Sequence, residues 1–113
     1  MPKALIAALI ALVIGGPAAA QDWPTRPISM VVPFPAGGPI DFIGRLMAQR
    51  VSERLGQQVI VENVAGAGGM NGAARVAKST PDGSMFLFGN QGTHTFSQLL
   101  YKKPAYNAEA EFA

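Results

Sequence analysis

The sequence has no cysteine at all, and only one histidine and one tryptophan in 113 residues. Without cysteine there is no disulfide framework, no thiolate zinc site and no cysteine nucleophile. A single histidine cannot anchor the several-ligand cluster that a metal needs, so no metal is expected. Charge is scarce as well. Charged residues make up 14% of the chain and the net charge is +2, too little for an electrostatic nucleic-acid binder, so no nucleic acid is expected as a partner. No apolar run approaches the ~20 residues that span a bilayer. There is no internal repeat and no low-complexity tract. What remains is a chain that is 49% hydrophobic, too apolar for a disordered tail and long enough for one small domain at most.

The apolar residues are unevenly spread. Lys3 is the only charge in residues 1–20, which hold the apolar run 4–14, the breakers Gly15, Gly16 and Pro17, and then Ala18-Ala19-Ala20. A basic start, a short apolar centre and a small-residue end predict a secretory signal peptide cut after Ala20. The run is too short for a membrane anchor, and no cysteine is present to carry a lipid. A soluble, exported protein is therefore expected. Removing 20 of 113 residues leaves 93, and the loss of Lys3 lowers the net charge to +1.

The segment 21–113 reads as β-α-β-α-β-α. Residues 28–32, 59–62 and 85–88 are short, apolar and rich in β-branched or aromatic side chains, which predicts strands. Residues 40–55 predict a helix whose buried side carries Ile43, Met47, Val51 and Leu55, with Leu46 beside them. Asp41 lies in its first turn, where a carboxylate complements the helix dipole, and Gly56 is placed to stop it. Residues 70–79 predict a second helix built on Ala73, Ala74, Val76 and Ala77. A third starts near Thr93 or His94 and runs to about Tyr101. Residues 102–113 show no element. Alternation of this kind predicts a parallel α/β sheet with its strand-to-helix loops gathered at the carboxyl ends of the strands, where ligands bind.

Three such loops are candidates for chemistry. Pro35-Ala36-Gly37-Gly38-Pro39, followed by Asp41, combines glycines with a helix start, which suits a carboxylate or phosphate held by backbone N–H groups. Gly66-Ala67-Gly68-Gly69 fails as a dinucleotide fingerprint. Asn71 stands where the third glycine belongs, and Gly89 and Asn90 end the next strand instead of an acid. No Gly-Lys-Ser or Gly-Lys-Thr occurs, so no nucleotide cofactor is expected. The third loop, Asn90-Gln91-Gly92-Thr93-His94, carries the lone histidine. None of the serines lies in a Gly-x-Ser-x-Gly elbow, so His94 reads as a polar helix-start residue that faces ligand.

These residues resemble the start of the Bug proteins, the extracytoplasmic solute-binding proteins of tripartite tricarboxylate transporters. The resemblance runs through Trp23-Pro24-Thr25-Arg26-Pro27-Ile28, Val31-Val32-Pro33-Phe34-Pro35-Ala36-Gly37-Gly38-Pro39 with Asp41, Leu55-Gly56-Gln57 and Val61-Glu62-Asn63. It continues through Gly66-Ala67-Gly68-Gly69, Pro81-Asp82-Gly83, Gly92-Thr93-His94 and Leu100-Tyr101-Lys102-Lys103. Val64 and Ala65 depart from the Arg-Pro common at that point in the family. The resemblance implies a type II periplasmic-binding-protein-like fold of which residues 21–113 form an incomplete first lobe. It also implies capture of a small carboxylate without catalysis, and membrane components of a transporter as partners. It assigns ligand contact to Ala36, Gly37, Gly38, Asp41, Asn90, Gly92, Thr93 and His94. Two rivals stand beside it. One is a secreted α/β hydrolase-like enzyme using His94 and a serine. The other is a truncated, non-functional fragment.

Overall fold

Residues 22–112 are described in a computed structural model of the chain. The leader reading of residues 1–20 and the cut after Ala20 fall outside them. Strand β1, Ile28–Val32, is the centre of a three-stranded parallel sheet. Strand β2, Val59–Asn63, lies on one side and β3, Met85–Leu87, on the other. Ile28 sits opposite Val59 and Val32 opposite Asn63, while Ser29 is opposite Met85. The expected parallel α/β arrangement is therefore present, with β2 and β3 at the edges of the sheet.

Successive side chains of a strand point to opposite faces, and the core divides accordingly. Ile28, Met30, Val59, Val61 and Phe86 pack toward helix α1, Pro39–Leu55. Leu87 packs toward helix α2, Met70–Ala77. The buried side of α1 differs from the expected one. Val51 and Leu55 do reach the core, but Ile43, Leu46 and Met47 are 47%, 50% and 46% exposed and Phe42 is 71% exposed. The helix meets the sheet through Asp41, Gly44 and Ala48 instead. These small side chains let the helix axis come close: a Cβ on Gly44 would lie 3.0 Å from Val32 Cγ2. Apolar spacing marks a stripe on the helix, but side-chain bulk decides which flank of that stripe touches the sheet. Gly56 ends α1 in the left-handed region at φ +66°, as expected, and its N–H donates to Ser52 O. Ser52 Oγ in turn accepts from Val59 N–H at 2.8 Å, tying the helix end to the start of β2.

Helix α2 ends at Ala77, two residues before the expected stop, and Lys78 and Ser79 close it by donating to Ala74 O and Val76 O. The third helical segment begins earlier than expected. A π turn, Gly92–Phe96, runs directly into α3, Ser97–Leu100. Residues 102–112 form no regular element, yet Tyr106 is buried with Met70 and Ala73 in the second core cluster, which Phe112 also joins. At the opposite end of the sheet, Trp23 Nε1 donates to Asp82 O at 3.1 Å and Arg26 pairs with Asp82 at 2.7 Å. These contacts fasten the lead-in segment to the turn before β3.

Candidate functional site

The three strand-to-helix loops, 33–38, 64–69 and 88–91, leave the sheet at the same end. Gly69 is where the first two meet the π turn that follows the third. A Cβ there would lie 2.7 Å from Thr93 Cγ2, 3.4 Å from Phe34 Cζ and 3.5 Å from Pro33 Cβ. Gly69 also has φ +93°, so two independent demands, conformation and space, require glycine.

The first loop ends on Pro39, which starts α1 without an N–H to satisfy. Gly38 O accepts from Phe42 N–H at 3.0 Å, and Gly38 N–H reaches Pro35 O at 3.4 Å. Ala36 and Gly37 are exposed and Gly38 is half-buried. Among the described residues, the N–H groups of Ala36, Ile40 and Asp41 meet no protein acceptor. These open donors share the positive end of a 17-residue helix, an arrangement suited to an anion.

Beneath the loop, Asp41 is 3% exposed and its carboxylate is fully engaged. Oδ2 accepts Gly37 N–H at 2.8 Å and Arg45 Nε at 3.0 Å. Oδ1 accepts Asn63 Nδ2 at 2.8 Å. The Arg45 side chain first, then the Gly37 N–H and the Asn63 amide, hold the Asp41 carboxyl at about 2, well below the usual carboxylate range. A depressed native pKa contributes stability that is present above the unfolded value of about 3.9 and is lost as pH falls through the native one. The melting temperature is therefore expected to be flat from pH 5 to 8 in this respect and to fall between about pH 4 and 2. Asp82 is also held at about 2, chiefly by the Ser84 hydroxyl and N–H, and contributes to the same acid limb. Melting curves of wild type and Asp41→Asn against pH separate the two: the variant should lose only its own share of the slope. An unchanged acid limb would show that Asp41 is not coupled to folding.

Where the third loop enters the π turn, Thr93 is fully buried. Its hydroxyl donates to Asn90 O at 2.9 Å and accepts Asn90 N–H at 3.0 Å. Asn90 Oδ1 accepts Thr93 N–H at 3.3 Å. This reciprocal pair starts the π turn. The N–H groups of Gln91 and Gly92 meet no acceptor among the described residues. His94 turns elsewhere. Its Nδ1 lies 2.9 Å from Thr93 Oγ1 and 3.2 Å from Asn90 O, and its ring rests on Phe112 with centroids 5.5 Å apart. The ring borders a groove of about 540 Å³ on the β3 side, together with Met85, Leu87 and Glu111. The one hydroxyl within hydrogen-bond distance of His94 among the described residues belongs to buried Thr93, so the rival enzyme reading gains no exposed nucleophile.

The eight expected site residues thus separate by role in the architecture. Ala36, Gly37, Gly38 and Asn90 belong to loops at the carboxyl end of the sheet and Gly92 opens the π turn; the N–H of Ala36 is free, while those of Gly37 and Gly38 go to Asp41 and to Pro35 O. The side chains of Asp41 and Thr93 are buried supports, and His94 faces the groove. Sequence reasoning missed Asn63 and Arg45. The signal was available: Asn63 shares the α1-facing parity of Val59 and Val61 on β2, and Arg45 stands one helical turn beyond Asp41.

Comparison with known proteins agrees with this architecture. The model of the tripartite tricarboxylate transporter family receptor (TctC) matches residues 43–112. A UPF0065 protein of Agrobacterium vitis is 47% identical over 106 residues, covering 93% of this chain and 30% of its own length. MatC of Rhodopseudomonas palustris, solved with bound malate, superposes with a TM-score of 0.75 at 40% identity over 79% of this chain and 30% of its own. Another R. palustris protein, solved with adipate, gives 0.73 at 40% identity over 77% and 29%. The periplasmic binding protein BugD gives 0.71 at 39% identity over 79% and 29%. The chain spans about 30% of the length of these relatives. Its match to the family model covers more than half of its residues, and its fold is that of periplasmic binding proteins. The chain belongs to the tripartite tricarboxylate transporter receptor family.

Proposed function

We propose that the chain is the opening part of the first lobe of an extracytoplasmic solute-binding protein. It holds one carboxylate of a small organic acid on the free backbone N–H groups of Ala36, Ile40 and Asp41, where the 35–39 loop enters α1. Membrane components of a tripartite tricarboxylate transporter would receive the ligand. One observation carries this reading: N–H groups without a protein acceptor, those of Ala36, Ile40 and Asp41, at the start of a long helix and the carboxyl end of a parallel sheet. The bound malate and adipate of two similar proteins support the choice of carboxylate. With a net charge of only +2, attraction for an anion must come from these dipoles. The periplasm is the compartment that fits the leader-like residues 1–20 and the relatives.

Gly38 gives a clean test. Its φ is −80° and its ψ 170°, a conformation open to any residue. An added Cβ would meet only Pro35 O, at 3.5 Å. Gly38→Val should therefore fold normally while placing two methyl groups over the donors. In calorimetry against malate and adipate the variant is expected to bind about tenfold more weakly or worse. Wild-type affinity in the variant would remove the 35–39 loop from the site, and silence of wild type toward every carboxylate tested would remove the function.

A further inference from the structure

Asn63 ends β2, and its amide has a single satisfied orientation. Nδ2 donates to Phe34 O at 3.1 Å and to Asp41 Oδ1 at 2.8 Å, while Oδ1 accepts Arg45 Nη2 at 3.0 Å. Turned over, the amide would set its oxygen against two acceptors and its nitrogen against a guanidinium. Three segments distant in sequence converge on this one side chain: the exit of β1, the first turn of α1 and the end of β2. The line continues upward. Asp41 Oδ2, on the same carboxylate, accepts Gly37 N–H. Gly37 is at φ +84°, which turns its N–H inward to that carboxylate.

The charges matter as much as the geometry. A buried carboxylate directly beneath an anion-binding loop opposes the anion. Arg45 answers it, with Nε on Asp41 and Nη2 on Asn63. The guanidinium half of the pair stays partly in water, at 53% side-chain exposure, and the carboxylate at 5%. We propose that Asn63 is the positioning residue of the carboxylate site: through Asp41 it fixes the 35–39 loop against the start of α1, where the Ala36, Ile40 and Asp41 N–H groups stay free, with Arg45 as brace and countercharge. This rests on the carboxylate reading above. Polar networks of this kind act as a unit, so removal of one member releases the others.

The test uses the full chain labelled with ¹⁵N, with malate as probe and Asn63→Leu and Asn63→Asp beside wild type. Strand amides of Ile28–Val32 report whether the sheet persists. The Gly37 amide proton, which its carboxylate partner is expected to shift downfield, reports the loop. In both variants this resonance is expected to move toward the free-amide position, with the strand amides in place. Malate affinity is expected to fall about tenfold, and further in Asn63→Asp, where a second carboxylate faces Asp41 and Phe34 O. A wild-type Gly37 resonance together with wild-type malate affinity in Asn63→Leu overturns the proposal. If neither malate nor adipate moves an amide of wild type, the carboxylate reading fails by itself. The Gly37 resonance then still decides the role of Asn63: displaced supports it, undisturbed overturns it. If both variants lose the sheet, Arg45→Gln replaces them, since its exposed side chain is dispensable to packing. A Gly37 resonance and malate affinity unchanged there overturn the proposal as well.

Discussion

Gly72→Ala is expected to destabilise the chain by about 3 kcal/mol, where helix propensity alone would predict a gain of ~1 kcal/mol. A Cβ at this position would lie 2.7 Å from Val64 O, 2.9 Å from Pro33 Cβ and 3.0 Å from Pro33 Cα. Two of those atoms belong to the backbone and one to a rigid ring, so nothing can rotate aside. The helix must back away from β1 instead. Because Pro33 leads into the 35–39 loop, the displacement reaches the candidate site directly. For a domain of this size the melting temperature should drop by roughly 10–20 °C. Gly44→Ala is the control. Its Cβ would meet side-chain atoms only, Val32 Cγ2 at 3.0 Å and Phe88 Cδ1 at 3.4 Å, so a displacement of a few tenths of an ångström suffices. The gain in propensity and the cost of the shift then nearly cancel. A Gly72→Ala protein that melts at or above wild type would show that α2 is not held against β1 as described.

Tyr106→Ala carries the second large effect. Tyr106 stands in a tail without secondary structure, yet it is 3% exposed and packs with Met70 and Ala73. Its ring meets Phe112 edge-on, with centroids 5.7 Å apart. Its hydroxyl donates to Thr93 O and lies 3.1 Å from Ser97 Oγ, which also donates to Thr93 O at 2.6 Å. Truncation to alanine removes a buried aromatic, at a cost of about 3–5 kcal/mol. Tyr106→Phe keeps the ring and leaves Ser97 to satisfy Thr93 O, so it should cost only ~1 kcal/mol. Denaturant melts give the difference. Hydrogen exchange should show the loss spreading to residues 93–97, because that carbonyl anchors the π turn to the tail. Equal effects of the two substitutions would mean that the hydroxyl, not the ring, holds the tail down.

Local signals were legible wherever one residue type permits a single backbone conformation or a whole segment repeats a pattern. The three strands, the α1 span, the Gly56 stop and the parallel order all follow from such signals, and all are present. The side of α1 that is buried was not legible. Ile43, Leu46 and Met47 are more apolar than Gly44 and Ala48, but the sheet selects for small size at a close crossing, and hydropathy does not encode distance. Tyr106 was hidden for a related reason: its partners, Thr93, Ser97 and Met70, are non-local, and no periodicity announces them. At the site, the loops could be read from glycine, whereas the inward turn of the Gly37 N–H and the burial of Thr93 depend on partners across the sheet end. Asn63 lay between the two cases, since strand parity placed it beside α1 but nothing in one dimension paired it with Phe34.

The outward flank of α1 has a practical consequence. Phe42, Ile43, Leu46 and Met47 offer water a continuous greasy strip on a fully formed helix. Environment-sensitive dyes such as ANS, normally taken as markers of a molten globule, bind surfaces of this kind. Fluorescence from such a dye would here report the native helix, and the near-ultraviolet circular dichroism of fixed aromatics, buried Tyr106 and hydrogen-bonded Trp23, would distinguish an ordered chain from a collapsed one.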